Sequence, residues 1–317
     1  MKRIAALDDY QRATPDLVDW TRLATEHELV VFDRHIGDEA TLVEALRDFD
    51  AVIAMRERTA LTRSILAALP RLELIVTTGM GNAAIDVDAA AERGTTVCGT
   101  GGIVTPTSEL TWGLILAVAR NIPVEDADVR AGGWQRTIGI DLAGKTLGLL
   151  GAGRIGGLVA DVGRAFRMDL IAWSQNLTAE RAADVGATLV TKDELFGRAD
   201  VLSVHLVLSD RTRHLVGATE LAKMKPGAIL VNTSRGPIID EAALVAALEG
   251  GTIGGAGLDV FDREPLPSDH PLRSTRNTVI TPHVGYVTDT LYDLFYREIL
   301  EDFIAFYDTR EPVRVIL

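Results

Sequence analysis

A chain of 317 residues with a 47% hydrophobic fraction is long enough for two domains with sizeable cores, and this excludes a disordered protein. The formal net charge of −13 argues against nucleic acid and anionic membranes as partners, although a few local arginines can reverse the field inside a cleft and admit an anionic ligand. The single cysteine, Cys98, permits no internal disulfide and no cysteine-based zinc site, suits a reducing cytoplasm, and reads as a small buried side chain.

The N-terminus, MKRIAALDDY, has no apolar core of the signal-peptide kind, and runs such as LTWGLILAVA are too short to cross a bilayer. A soluble, cytoplasmic protein is expected. Apolar runs at 3–7, 29–32, 51–54 and 74–77 read as strands, with amphipathic helices near 15–26, 39–47 and 87–93. This alternation predicts a parallel sheet flanked by helices.

TPTSELTWGLILAVAR, 105–120, predicts a long helix with Pro106 in its first turn. It is apolar nearly all round, so it should be buried against something large, such as another subunit. From Lys145 a denser α/β stretch follows, with candidate buried strands in TLGLLG, MDLIAW, VLSVHL, AILVNT, IGGAGLDV and TVITP. The final segment, TDTLYDLFYREILEDFIAFY, is helix-like.

LLGAGRIGG places an apolar strand directly before Gly151, Gly153 and Gly156, with a helix-compatible segment after them. The first glycine permits a tight turn, the second lets backbone approach a pyrophosphate, and the third allows close helix–strand packing. The bland alternative is a packing turn. A dinucleotide-binding turn is usually followed, about 20 residues on, by an acidic residue that grips a ribose. Here the next strand ends in the neutral Ser174, Gln175 and Asn176.

The stretches LAGKTLGLLGAGRIG, ADVLSVHLVLSDRTRHLVG, LAKMKPGAILVNTSRGPIIDEAAL, GLDVFDREPLPSDHPL and NTVITPHVGY resemble the D-2-hydroxyacid dehydrogenase family, in order and with family-like spacing. MRERTALT, TTGMGNAAID and TSELTWGLILAVAR match more loosely. The resemblance implies an α/β fold of two Rossmann-like domains with parallel sheets: a flavodoxin-like substrate domain, 1–101 with 287–317, and a dinucleotide-binding domain, 102–286, inserted into it. It also implies that the last helix returns to the substrate domain, and a homodimer built largely around the cofactor domains.

The implied reaction is hydride transfer between NAD(P)H and C2 of a small 2-oxo acid, or the reverse oxidation of a D-2-hydroxy acid. His283 matches the family's acid–base histidine, and Glu264 its carboxylate partner, with Asp262 as the local competitor. Arg235 matches the substrate arginine, whose fork can hold a carboxylate or polarise a carbonyl. Asp259, Thr233, Gly285 and the Arg154–Ile155 pair match cofactor-contact positions, alongside the three glycines, Ser174 and Gln175; Arg235 and His283 also border the cofactor. Gly79, Met80, Gly81 and Asn82 are candidates for backbone contacts to the substrate carboxylate, or form a simple strand–helix turn. Arg56 either adds a second charge for substrate or, like Arg58, is a solvated loop charge. No His/Asp cluster has metal-site spacing, and no metal is expected.

Three departures from the family pattern stand out. Val207 replaces the usual Pro after His205, leaving that loop's shape open. Tyr286 follows Gly285 where a second glycine is common, and either lines the substrate pocket or packs structurally. Ser174 replaces the ribose-binding acid, so both nicotinamide cofactors should serve, with a modest preference for NADP(H). A nucleotide-sensing corepressor on the same fold is the rival reading; it predicts Pro/Ser-rich tails or a protein-binding arm, whereas this chain begins at its first strand and ends within ten residues of its last helix. Formate oxidation calls for Gln in place of Glu264.

Overall fold

The computed structural model describes residues 1–21 and 26–316. The chain divides into two compact units: Met1–Ile103 with Val287–Leu317, and Val104–Tyr286.

The first unit is built on strands β1 (Lys2–Ala6), β2 (His27–Val31), β3 (Ala51–Ala54), β4 (Leu74–Thr77) and β5 (Thr96–Gly99), with helices α1 (Thr14–Leu17), α2 (Glu39–Leu46), α3 (Arg63–Ala68) and α4 (Val87–Glu92). The strands form one parallel sheet in the order β2-β1-β3-β4-β5. Both β3 and β4 are buried along their whole length. That is why they read as unbroken apolar runs and not as alternation. Asp38, Thr62 and Asp86 each accept an amide of the first turn of the helix they precede, satisfying donors that the helix cannot pair itself. Of the helix expected over 15–26, the structure shows a single turn at Thr14–Leu17, and 22–25 lie outside the described residues.

The second unit opens with α5 (Thr105–Ala119) and α6 (Ile122–Arg130). There follow β6 (Thr146–Leu150), α7 (Arg154–Ala165), β7 (Asp169–Trp173), α8 (Ala179–Asp184), β8 (Thr188–Leu189), α9 (Lys192–Arg198), β9 (Val201–Val204), α10 (Ala218–Leu221), β10 (Ile229–Asn232), α11 (Glu241–Glu249), β11 (Gly255–Leu258) and β12 (Thr278–Ile280). The strands form a seven-stranded parallel sheet in the order β12-β11-β10-β9-β6-β7-β8. The order reverses between β6 and β9, the kind of switch point where open α/β sheets bind ligands.

Helix α5 is buried, as its composition requires, but against its own unit's sheet. A Cβ added to Gly255 would lie 2.8 Å from Val118, and one added to Gly257 would lie 2.9 Å from Leu114. The bare β11 backbone thus lets the helix seat directly on the sheet, while Leu110, Leu116 and Ala117 on it stay half-buried.

The last helix, α12 (Asp289–Thr309), belongs to the first unit. Asp302, fully buried on it, accepts the amides of Val313 (2.9 Å) and Arg314 (3.0 Å) and so pins the tail. Val315 there bridges antiparallel to Cys98, whose thiol is pushed up to about 12 by burial and is inert in that state. Among the described residues no helix is long and apolar enough to cross a membrane.

Candidate active site

Parallel strands deliver their following loops to one edge of a sheet. In the second unit the residue pairs Asn232–Leu258 and Leu258–Ile280 lie side by side, so Thr233, Asp259 and Thr281 leave the sheet at the same level. The Gly151 turn, Ser174 and His205 follow β6, β7 and β9 at that same edge.

The three glycines of the β6–α7 turn occupy three different environments. Gly151 has φ +102°, and a Cβ there would lie 2.6 Å from the His205 carbonyl oxygen across the switch point. Side chains are excluded on both grounds. A Cβ on Gly156 would overlap the Gly151 carbonyl, so this glycine lets α7 sit against the turn. A Cβ on Gly153 would meet nothing within 4 Å. Gly153 caps α7 without any side-chain bond, which leaves Arg154 and Ile155 in a first turn whose amides and dipole favour an anion. An open face over a bare helix N-terminus is what a pyrophosphate requires, so these residues fit a dinucleotide.

Beyond the turn, β7 ends at Trp173, and Gln175 and Asn176 are exposed. The Leu177 amide donates back to Ser174 O at 3.1 Å, closing a turn before α8. Arg181 lies exposed in the first turn of that helix. His205 is half-buried, its Nε2 2.8 Å from Ser203 Oγ, and desolvation of the ring lowers its pKa to about 4, so it is neutral. The loop that lacks the family's proline is held differently: Thr212 Oγ1 donates to Val207 O at 2.7 Å, and Ser234 Oγ donates to Leu206 O.

His283 and Glu264 meet. His283 Nδ1 is 2.6 Å from Glu264 Oε2, and the Phe261 amide donates to the other carboxylate oxygen at 2.9 Å. A carboxylate only accepts, so Nδ1 carries the imidazole proton and Nε2 is left as the working atom. Asp262, the local competitor, is exposed and makes no contact of this kind. His283 has φ +53°, a left-handed conformation uncommon for a non-glycine residue. Asp259 holds that turn in place: its carboxylate accepts Thr281 Oγ1–H (2.6 Å) and the amides of Val284 (2.8 Å) and Gly285 (2.8 Å). Burial pushes the Asp259 carboxyl up, opposed by these three donors. Tyr286 is buried, with its ring edge-on to the His283 imidazole, centroids 5.6 Å apart.

Arg235 stands on the loop after β10. Asn232, 1% exposed, secures that loop, donating from Nδ2 to Arg235 O (2.9 Å) and accepting the Ser234 amide (3.0 Å). Gly236 then packs on the Phe261–Asp262 peptide so closely that any Cβ would overlap it. This contact joins the Arg235 loop to the Glu264 loop. The Thr233 and Thr111 hydroxyls are 2.8 Å apart, Thr111 donates to Thr107 O, and Thr107 donates to Gly285 O at 3.1 Å. Helix α5 thereby ties the end of β10 to the His283 turn. Asn232, Thr107 and Thr111 were not among the expected site residues. The signal for the threonines is their spacing of four, which puts both on one face of a largely apolar helix.

In the first unit, Arg56 follows β3 with φ +50° and its amide donates to Thr78 Oγ1 at 2.9 Å. Its guanidinium lies where a side chain at Gly79 would stand. Arg58 is no solvated loop charge: Nη1 donates to Asp8 O at 2.7 Å and the guanidinium sits 4.6 Å from the Tyr10 ring centroid. Asn82 Nδ2 donates to Arg56 O (2.6 Å) and Thr77 Oγ1 (2.8 Å), so its side chain links the two loops. The Gly79 amide donates to Thr100 Oγ1 at 2.8 Å, which narrows this loop's candidate backbone donors to Met80, Gly81 and Asn82.

Residues 112–285 match the family model for the NAD binding domain of D-isomer specific 2-hydroxyacid dehydrogenases. The chain is 40% identical over 305 residues to a glyoxylate reductase of Aeropyrum pernix, covering 93% of this chain and 91% of that protein. It is 42% identical over 252 residues to a D-3-phosphoglycerate dehydrogenase of Methanocaldococcus jannaschii, covering 78% of this chain but only 48% of that longer protein. A solved phosphoglycerate oxidoreductase of Vibrio cholerae superposes with a TM-score of 0.91 at 36% identity, over 97% of this chain and 99% of that one. With a glycine turn open to a dinucleotide and a paired histidine at the same sheet edge, the chain belongs to the D-isomer specific 2-hydroxyacid dehydrogenase family.

Proposed function

We propose that this dehydrogenase reduces a small 2-oxo acid of the glyoxylate class, with His283 as proton donor, Glu264 as its partner and Arg235 as the substrate-carboxylate ligand. The observation that carries the reading is the 2.6 Å contact between His283 Nδ1 and Glu264 Oε2, beside a loop that carries a forked cation. A bound nicotinamide would supply the hydride. The chain's own residues do the rest. Arg235 fixes the carboxylate and so aims the carbonyl. His283 gives its Nε2 proton to the developing alkoxide, and the ionised Glu264 stabilises the imidazolium form that can do so. Asp259 keeps the His283 turn rigid while the proton leaves. Arg56 and the amides of Met80, Gly81 and Asn82 are assigned a share of the substrate's negative charge. The units then take the roles of substrate domain (1–101 with 287–317) and dinucleotide-binding domain (102–286). Assays of glyoxylate, hydroxypyruvate, phenylpyruvate and phosphohydroxypyruvate with each reduced nicotinamide test the substrate class.

The pyrophosphate is assigned to Gly151, Gly153, Arg154, Ile155 and Gly156, with Thr233, Asp259 and Gly285 near the nicotinamide end. Ser174 and Gln175 offer neutral hydrogen-bond donors where a carboxylate would repel the extra phosphate of NADP. Both cofactors should serve, with a modest preference for NADPH. A hydrogen bond to a charged group is worth roughly 1.5–3 kcal/mol, so Ser174→Asp should swing the ratio of kcat/KM values toward NADH by about one to two decades. If the natural enzyme is more than about tenfold better with NADH, a gap of some 1.4 kcal/mol, the reading of this strand end is wrong.

Helix α6 buries none of its residues, and it leads into a segment where Trp134 is 78% and Ile138 96% exposed. Ile122, Val124 and Val129 on the helix are exposed as well, so this segment gathers several apolar side chains that the unit itself does not cover. We assign it to a homodimer. Sedimentation should give a dimer for the wild type and a monomer for Trp134→Arg/Ile138→Arg; an unchanged mass for the variant contradicts the assignment.

A further inference from the structure

Glu264 rides on a long connection between β11 and β12, whose only regular piece is a single 3-10 turn, Pro271–Arg273. A loop of that length has no ladder to hold it, so its shape depends on side-chain anchors. Two of them converge on one residue outside the loop. Glu241, the first residue of α11, has a side chain only 14% exposed. Its Oε1 accepts the Asp262 amide at 2.8 Å. Its Oε2 is 3.2 Å from His270 Nε2. The Leu272 amide donates to His270 Nδ1, so the ring proton sits on Nε2 and points at Glu241. Glu241 therefore grips the loop on both sides of Glu264, at 262 and at 270.

The grip is adjacent to the catalytic contacts. Asp262 follows Phe261, whose amide donates to Glu264 Oε1. The Phe261–Asp262 peptide is also the surface against which Gly236 packs, next to Arg235. Burial pushes the Glu241 carboxyl above the usual carboxylate range, while the Asp262 amide and His270 favour its charged form. Moving the 261–262 peptide would move the Glu264 carboxylate and the floor of the Arg235 loop together.

We propose that Glu241 is a positioning residue for the reaction: it acts through the Asp262 amide and His270 to hold Glu264 against His283. The inference rests on the assignment of His283 and Glu264 made above.

A double-mutant cycle in kcat, with glyoxylate and NADPH as probes, tests it. Glu241→Leu should lower kcat roughly tenfold, with the glyoxylate KM changed much less, the split expected of a misplaced acid pair and not of a lost substrate contact. Glu241→Gln retains an oxygen for the Asp262 amide and should restore most of the rate. In a Glu264→Gln background, Glu241→Leu should cost less than about twofold more, because residues acting through one contact are not additive. If Glu241→Leu does not fold, His270→Ala removes one of the two anchors and should show a smaller loss with the same non-additivity. Equal losses in both backgrounds, or a wild-type kcat for the leucine variant, overturn the proposal. His283→Ala run beside them separates the two assignments. Activity retained there removes the acid pair itself, whereas an inactive His283→Ala with a fully active Glu241→Leu removes only Glu241's role.

Discussion

Replacing His283 by alanine lowers reductive turnover by about two to four orders of magnitude, the usual worth of a positioned general acid. The imidazole is placed for that task by a carboxylate 2.6 Å from Nδ1 and by a turn whose two following amides are held by Asp259. The other histidine at this sheet edge, His205, is neutral, its pKa lowered by desolvation to about 4, so it has no proton to give at neutral pH beyond its ring N–H. Glu264→Gln is milder. It keeps a side chain that can still bond to Nδ1 but removes the negative charge that favours imidazolium. Its loss of reductive turnover should therefore be smaller than that of His283→Ala. Steady-state kinetics with both variants check this. Near-normal reduction by His283→Ala would sink the assignment.

Arg235→Lys raises the KM for the 2-oxo acid by about one to two decades, since a charge-assisted hydrogen bond is worth roughly 1.5–3 kcal/mol. The exchange is not conservative, because a point ammonium cannot replace a planar fork that grips a carboxylate with two bonds. Cofactor affinity should be nearly unchanged, because the loop conformation is fixed by Asn232 and by Gly236 on the Phe261–Asp262 peptide and not by the guanidinium alone. Cofactor titrations followed by nicotinamide fluorescence, beside the KM measurement, separate the outcomes. Equal losses for both ligands would point to local misfolding instead.

Much of the fold was legible because buried parallel strands announce themselves. The runs at 51–54 and 74–77 coincide with β3 and β4, and TLGLLG, AILVNT and IGGAGLDV each contain a strand. The helices α3 and α10 and the strands β5 and β8 were not anticipated. Two-residue β8 and four-residue α10 are too short to carry a period, and they exist because neighbours pair or pack with them. At the site, Gly151 and Gly156 were readable because local backbone contacts exclude a side chain there, and Gly153 because it leaves a helix N-terminus open. The pairing of His283 with Glu264 instead of Asp262 comes from the family resemblance, through the spacing from GLDVF to Glu264–Pro265, and the structure forms it across a loop of irregular backbone. Glu241, Thr107 and Thr111 were missed because their partners at the site are remote in sequence, and Asn232, whose side-chain partners are Ser234 and Arg235, because a strand-end Asn looks ordinary by itself. Asn82 reads only as a backbone donor in the sequence; its side chain, bonded to Arg56 O and Thr77 Oγ1, has a linking role that the sequence does not suggest.

The central claim is that this chain reduces the C2 carbonyl of a 2-oxo acid through the His283–Glu264 pair. The most direct measurement follows nicotinamide absorbance with purified protein and hydroxypyruvate, and then determines the configuration of the product. The account predicts oxidation of NADPH, and of NADH at comparable efficiency, dependent on the 2-oxo acid, yielding D-glycerate and lost in His283→Ala. Oxidation that persists in His283→Ala, an L product, or no turnover with any of the four 2-oxo acids would contradict it.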